Sequence, residues 1–373
     1  MLHLFKFCFA HTMKLKYTFT FKTYIFFTIC TVITYMSVWV KPSTFWFASF
    51  LSWSIPFMIF GQFFFVIYYS FTKKIKKLLI PILVILLGIS FINRTFQFWN
   101  SKSDEKSNLK ILSYNVRVLN VYDHLNNNKP EIGKEMCNWI IGTNSDVICL
   151  QEFYNERNSK YFNSIKQLKK GLKWKYFFSA SHTNRVGGEF GMIIFSKYPI
   201  IGKGVIEQKT KSNNQMLYLD IKVNGKPIRV YNIHLQSMSI NENDITDVDS
   251  TSKNKIKKVI KRIKKGFIER TQQLALLEEH LELCPYPVII NGDINDLPCS
   301  NTYQRLQKKL KNSFEEKGKG FGVTYNGKLP FLRIDNQFFS PELSLNKFTV
   351  IDSVKYSDHF PLYAEFNIYN SND

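Results

Sequence analysis

Residues 23–40, between Lys22 and Lys41, read "TYIFFTICTVITYMSVWV" and carry no charge. A second charge-free run fills residues 42–72, and a third apolar stretch, "LLIPILVILLGISFIN", occupies 78–93 and leads into Phe96, Phe98 and Trp99. Hydrocarbon offers a backbone no hydrogen-bond partners, so a segment buried in it must be helical, and about 20 residues of helix cross a bilayer. The N-terminal part is therefore expected to form three transmembrane helices, at about 23–40, 45–71 and 78–98, with an aromatic belt after the last. A cleaved signal peptide explains one apolar run and not three.

Lys73, Lys74, Lys76 and Lys77 crowd the second loop, whereas the first offers only Lys41. Positively charged loops stay in the cytoplasm. The N-terminus and the second loop are expected there, which makes the chain a multi-pass membrane protein with everything beyond about residue 100 extracytoplasmic. Residues 101–108, "SKSDEKSN", read as a linker. The net charge of +21 is unevenly placed: +10 lies in the first 107 residues and +8 in "KNKIKKVIKRIKK", which begins at Lys253 and ends at Lys265. The remainder is nearly neutral, which argues against an evenly basic nucleic-acid surface. In the basic run Ile256, Val259, Ile260, Ile263 and Phe267 recur at helical spacing, so this helix is expected to contact an anionic surface. The six cysteines form no CxxC pair, which argues against a zinc site.

Residues 109–373 alternate short apolar runs with helical patterns. Strands are expected at "KILSYNVRV", "DVICLQE", "FGMIIFS", "MLYLDIKV", "PIRVYNIHL", "PVIINGD", "NQFFS", "FTVID" and "PLYAEFNIY", and the Asn224-Gly225 pair reads as a hairpin turn. Helices are expected at residues 131–141, 160–172, 253–283 and 301–310. Hairpins mixed with helices imply α/β sheets packed as a sandwich with helices outside.

Polar residues stand where these strands meet loops. Asn115 ends "ILSYN", Glu152 ends "VICLQE", His234 lies in "VYNIHL", Asp293 and Asn295 follow "VII", Asp335 follows "RI", and Asp358 and His359 stand in "YSDHFPL". Carboxylate and amide oxygens suit a hard cation such as Mg²⁺ or Mn²⁺, and histidines beside carboxylates suit proton transfer and charge stabilisation.

The ordered set "SYNVR", "LQEF", "NIHL", "NGDIND", "RID" and "SDHFPL" resembles the endonuclease/exonuclease/phosphatase superfamily over about residues 110–366. The resemblance implies a four-layer sandwich of two mixed β-sheets flanked by helices, and hydrolysis of phosphoester bonds by a metal-dependent, Asp-activated water. It implies that Glu152, Asn115 and Asp358 hold Mg²⁺ or Mn²⁺, that Asp293 deprotonates water, and that Asn295 holds the phosphate or the nucleophile. His359, paired with Asp335, and His234, supported by Glu189, would contact phosphate oxygens. Arg117 stands where some nuclease members carry an acidic residue, and Asn336 where an aromatic often follows, which weakens any assignment to abasic-site endonucleases. The substrate stays open among nucleic acid, phospholipid head group and small organophosphate. The alternatives are a nuclease acting on DNA or RNA, or a non-catalytic phospholigand-binding domain at the membrane.

Overall fold

The computed structural model describes residues 21–99, 106–127, 131–208, 214–238, 253–329 and 331–368. They fall into two compact units, Met1–Thr95 with Cys299–Asn301, and Phe96–Pro298 with Thr302–Asp373.

The first unit is helical. Helix α1 (Phe21–Trp39) is long and apolar enough to cross a membrane. The other two expected spans are broken. Helices α2 (Phe47–Trp53) and α3 (Ile55–Phe71) meet at 46°, and α4 (Ile75–Leu87) and α5 (Ile89–Thr95) at 54°. The first break follows from Pro56 in the first turn of α3, whose ring fixes φ and supplies no N–H to the preceding turn. The second falls at Gly88, the residue with the weakest hold on helical backbone of all but proline. One continuous apolar helix and two bent pairs thus replace three straight spans. Inside the bundle the Gln62 amide donates to the Thr31 hydroxyl at 2.9 Å, while Phe57, Phe60 and Phe71 point outward.

Among the described residues the second unit holds two six-stranded sheets. One has the order β11 (Ser344–Val350), β12 (Leu362–Asn367), β1 (Leu109–Asn115), β2 (Val147–Asn155), β4 (Glu189–Ser196), β3 (Lys175–Thr183), with the short helix α6 (Val121–Asn127) between β1 and β2 in the chain. The other has the order β5 (Ile200–Val205), β6 (Met216–Val223), β7 (Lys226–His234), β8 (Val288–Asp293), β10 (Asp335–Phe339), β9 (Lys311–Asn312). Strands β1 (Leu109–Asn115) and β2 (Val147–Asn155) pair in parallel, as do β7 (Lys226–His234) and β8 (Val288–Asp293). The remaining pairings are antiparallel, including β10 (Asp335–Phe339) beside β8. Asn224 (φ +49°) and Gly225 (φ +84°) make the expected hairpin between β6 (Met216–Val223) and β7, because two consecutive left-handed residues give a turn that matches the strand twist.

Successive strand residues face opposite ways, and this builds four layers. Ile111 and Cys149 of one sheet meet Val230 and Ile289 of the other. The other face of the first sheet, with Leu112 and Ile148, packs on Met136 and Ile140 of helix α7 (Glu131–Ile141) and on Leu168 of α8 (Ser164–Leu172). The outer face of the second, with Tyr231 and Ile290, packs on Leu274 and Leu277 of α9 (Lys253–Glu282). Of the expected linker, residues 101–105 lie outside the described residues. Asn108 is already fixed to the sheet, its amide donating to Asn367 and Ile368.

Candidate active site

The faces that the two sheets turn toward each other change character along the strands. At one end they are apolar, with Ile111, Cys149, Val230, Ile289 and Phe339. Two residues further on stand neutral polar groups, Ser113, Gln151, Asn232, Asn291 and Gln337, all buried. Gln151 bonds across the sandwich, donating to Asn232 at 2.6 Å, while within each sheet Gln151 donates to Ser113 at 3.2 Å and Gln337 to Asn291 at 2.5 Å. One more step of two brings Asn115, His234, Asp293 and Asp335 to the strand ends. His234 pairs with Asp293, and Asp293 with Asp335, in the backbone register. The amide layer gives the titratable groups a hydrogen-bonded floor, because buried polar atoms left unpaired are costly.

Two local backbone features complete the cluster. The pairing of β2 with β4 (Glu189–Ser196) slips between Leu150 and Phe153, a bulge in which Glu152 takes a left-handed φ of +48°. A bulge re-aims one side chain. Gln151 therefore stays inside while Glu152 reaches the cleft with 37% of its side chain exposed. Gly292 (φ +135°) passes so near Ile233 that a Cβ there would lie 1.9 Å from the Ile233 carbonyl oxygen, and this close approach sets β8 against β7 just before Asp293.

The side chains converge. Asn115 donates to Glu152 at 3.2 Å and to Asp293 at 3.3 Å. His234 Nε2 lies 3.6 Å from Asp293 and 3.7 Å from Glu152, and is buried with no hydrogen-bond partner among the described residues. His359 Nδ1 contacts Asp335 at 2.8 Å, and its Nε2 faces Asp293 at 3.9 Å. Asn295, at φ +51°, donates its backbone N–H to Asp293 at 2.8 Å and its side-chain amide to the Leu235 carbonyl at 3.0 Å. Asp358 lies 3.5 Å from the Arg117 guanidinium and accepts from the Ser357 hydroxyl, which also reaches the Asn115 carbonyl. Oxygen and nitrogen atoms of Asp293, Asp335 and His359 lie within 4.8 Å of one another, a spacing that could hold a metal ion.

Glu189 is placed elsewhere. It pairs with Asn155 in the sheet, accepts from the Asn155 amide at 3.0 Å and lies 3.5 Å from Arg157. The charged groups acting on His234 are Glu152, His359 and Asp335. The carboxylates beside His234 are thus Asp293 and Glu152, the latter delivered by the bulge, whereas the contacts of the expected Glu189 are with Asn155 and Arg157.

Burial and charge push these groups apart. Burial lowers His234, with Glu152 opposing, so its ring is neutral at pH 7. Burial also disfavours charge on His359, but the charge and hydrogen bond of Asp335, with Asp293 and Asp358, outweigh it and raise the ring to about 10. Burial raises the Asp293 carboxyl, Asp335 adds to this, and His359 and the Asn295 N–H pull it down. Asp358 is raised by burial, with His359 and Arg117 opposing. The site therefore combines a neutral imidazole, a cationic one and a carboxylate of raised basicity, which are the properties that acid–base and charge-stabilising chemistry requires.

The amide layer, Ser357 and the Arg117–Asp358 contact were not foreseen. The layer has a sequence signal, the period-two pairs Ser113/Asn115, Asn232/His234, Asn291/Asp293 and Gln337/Asp335, in which an uncharged polar residue stands one strand step inward of each site residue.

The profile of the Endonuclease/Exonuclease/phosphatase family matches residues 112–359, more than half of the chain. The chain belongs to this family. Residues 16–95 match a second profile, described as a domain of unknown function (DUF8431). Among solved structures, the mannosyl-6-phosphatase of Bacteroides thetaiotaomicron is 18% identical, with a TM-score of 0.50 over 70% of this chain and 100% of that one. A humanized D. rerio TDP2 is 20% identical, with a TM-score of 0.50 over 70% and 99%. D. rerio TDP2 complexed with a single-strand DNA product is 19% identical, again with a TM-score of 0.50, over 70% and 99%. At these identities the likeness establishes the family's fold of two mixed sheets flanked by helices. A search of curated proteins found no match.

Proposed function

We propose that this protein is a membrane-anchored hydrolase of phosphoester bonds that works with a divalent cation, Mg²⁺ or Mn²⁺. The observation that carries the reading is the meeting of His234, Asp293, Asp335 and His359 with Asn115 and Glu152 at one end of the two sheets, with one imidazole neutral and the other cationic.

Asp293 is the base that takes a proton from water, its basicity raised by burial and its orientation fixed by the Asn295 N–H. Asn295 holds the phosphate or the attacking water. His359 donates from Nε2 to a non-bridging phosphate oxygen and, as a cation, offsets the charge that builds there. Asp335 positions His359 and keeps it protonated. The unpartnered Nε2 of the neutral His234 has its missing partner in a second phosphate oxygen. Glu189 stands outside this scheme.

The donor set suits a hard cation. Glu152 is accessible, and the amide of Asn115 and the carboxylate of Asp358 supply further oxygen. Glu152, Asn115 and Asp358 would hold the ion, because the Asp335–His359 pair already satisfies its own inner atoms. When bound, such an ion withdraws charge from the phosphoryl group and lowers the pKa of bound water.

Anchoring rests on α1, on the two bent apolar pairs and on the outward-facing rings of Phe57, Phe60 and Phe71, which water tolerates poorly in such density. With Lys73, Lys74, Lys76 and Lys77 cytoplasmic, the three passes leave the catalytic unit outside the cytoplasm. Helix α9 leaves Ile256 and Ile260 exposed among lysines and buries only Ile263 and Phe267 of the expected stripe, a mixture of apolar and basic groups that suits contact with an anionic surface. The test is hydrolysis by the purified chain of mannose 6-phosphate, inositol phosphates, sphingomyelin, RNA, single-strand DNA and a chromogenic phosphodiester, with Mg²⁺, Mn²⁺ or chelator. Turnover of at least one, abolished by chelator, is expected. No turnover of any, alongside retained binding, leaves the non-catalytic reading in its place.

A further inference from the structure

Four phenyl rings run across the surface of the second unit in an unbroken series. Phe98 and Phe96 lie 4.8 Å apart between ring centres, Phe96 and Phe321 4.9 Å, and Phe321 and Phe331 5.5 Å. Phe96 is half-buried, but Phe98 is 70% exposed, Phe321 46% and Phe331 69%, and Trp99 beside them is 85% exposed. Water does not favour such a row: each ring gains by leaving it, and contiguous exposed aromatic surface marks a contact not yet made. The backbone beneath is fixed, because Gln97 and Gly320 exchange two hydrogen bonds, at 2.9 and 2.8 Å. The series begins directly after the last residue of α5, Thr95, and therefore where the third apolar pass ends. Lys319 and Lys328 on the same loop are exposed. Aromatic rings flanked by lysines are what the headgroup zone of a bilayer selects, since a ring buries its body there and a lysine keeps its charge in water.

We infer that Phe98, Trp99, Phe321 and Phe331 form a docking surface that seats the catalytic unit in the headgroup zone of the bilayer; the inference rests on the membrane anchoring proposed above. The loop that carries Phe321 and Phe331 is tied to the site between those two rings. The Phe360 N–H donates to the Thr324 carbonyl and the Asn326 N–H to the Asp358 carbonyl, each at 2.7 Å. Tyr325 forms a bridge with His359. The same rings wall a cleft of about 620 Å³ that reaches Phe360, the neighbour of His359. Docking through this loop therefore holds the site within reach of phosphoesters presented at the membrane surface.

The test places the photo-crosslinker p-benzoylphenylalanine at single positions of the full chain in nanodiscs of phosphatidylcholine and phosphatidylglycerol, and lipid adducts are read by mass spectrometry. Positions 321 and 331 carry the proposal. Phe60, exposed in α3, reports on anchoring, and Val186, 73% exposed in the catalytic unit, reports the background. Adducts at 321 and 331 approaching those at Phe60 and well above Val186 are expected. Adducts at Phe60 with none above background at 321 and 331 overturn the docking surface and leave the anchoring intact. No adduct at Phe60 removes both. Crosslinks between two protein chains at 331 in place of lipid assign the rings to a contact between copies and also overturn the proposal.

Discussion

Replacing Asp335 by asparagine keeps the shape of the side chain and removes the charge that holds His359 as a cation. The pair is close and almost wholly enclosed, at 2.8 Å with 7% and 4% of the two side chains exposed. Removing one partner of such a pair costs roughly 3–5 kcal/mol, because the other charge is left buried and uncompensated. At roughly 2–4 °C per kcal/mol for a domain of this size, Asp335→Asn is expected to lower the midpoint of thermal unfolding by about 10 °C. The loss depends on pH in a defined direction. His359 is raised in the folded protein from 6.5 to about 10. Its contribution is complete below pH 6.5, where folded and unfolded rings are both protonated, and it fades as pH rises toward 10. The difference between wild type and variant should therefore be largest near pH 6.5 and shrink toward pH 10. The assay is intrinsic-fluorescence melting of the chelator-treated full chain across that window. Equal midpoints, or a difference that does not change with pH, would refute the claim that Asp335 keeps His359 protonated.

Glu152→Gln halves the charge offered to a divalent cation while keeping an oxygen in place, so the Mg²⁺ or Mn²⁺ needed for half-maximal activity should rise by about tenfold or more; an unchanged metal requirement removes Glu152 from the ion's ligands. A reporter active only outside the cytoplasm should be active when fused after Asp373 and silent when inserted between Phe71 and Leu78, and the reverse pattern overturns the orientation. Replacing Lys257, Lys258, Lys261 and Lys264 by glutamine should weaken polyanionic substrates while leaving a small phosphodiester unaffected, since each lysine near an anionic surface contributes about 1 kcal/mol at moderate salt; equal turnover of both by the variant sinks the anionic-surface role of α9.

The features legible in the sequence were those set by local chemistry. Helix α7 falls on residues 131–141 as its apolar spacing requires, and Asn224-Gly225 makes its hairpin because only a left-handed pair closes that turn. Asn115, His234, Asp293 and Asp335 could be read as strand-end groups because apolar runs precede or follow them. Strand β3 (Lys175–Thr183) was missed because an edge strand with every residue half-buried or exposed shows no alternation, and β5 (Ile200–Val205) because Gly202 and Gly204 dilute its apolar signal. The position of Glu152 depends on a bulge that breaks the period of two, and the partners of Glu189 depend on the same pairing of β2 with β4; register across strands far apart in sequence is not written in either strand alone. The breaks at Ser54 and Gly88 lie within apolar runs, so hydropathy passes over them although Pro56 and Gly88 are the residues that permit them.

The proposed role of Asp293 is to activate water for attack on a phosphoester in a cation-dependent site. The most direct measurement compares wild type with Asp293→Asn on whichever substrate the purified chain hydrolyses, at saturating Mg²⁺ or Mn²⁺, with thermal melting to confirm that both are folded. General-base action contributes about 10² to 10⁴ in rate. The variant should melt at or above the wild-type temperature, because it no longer buries an ionisable carboxyl, and its kcat should fall by at least about 10²-fold. A folded Asp293→Asn protein with near-normal kcat would contradict the assignment.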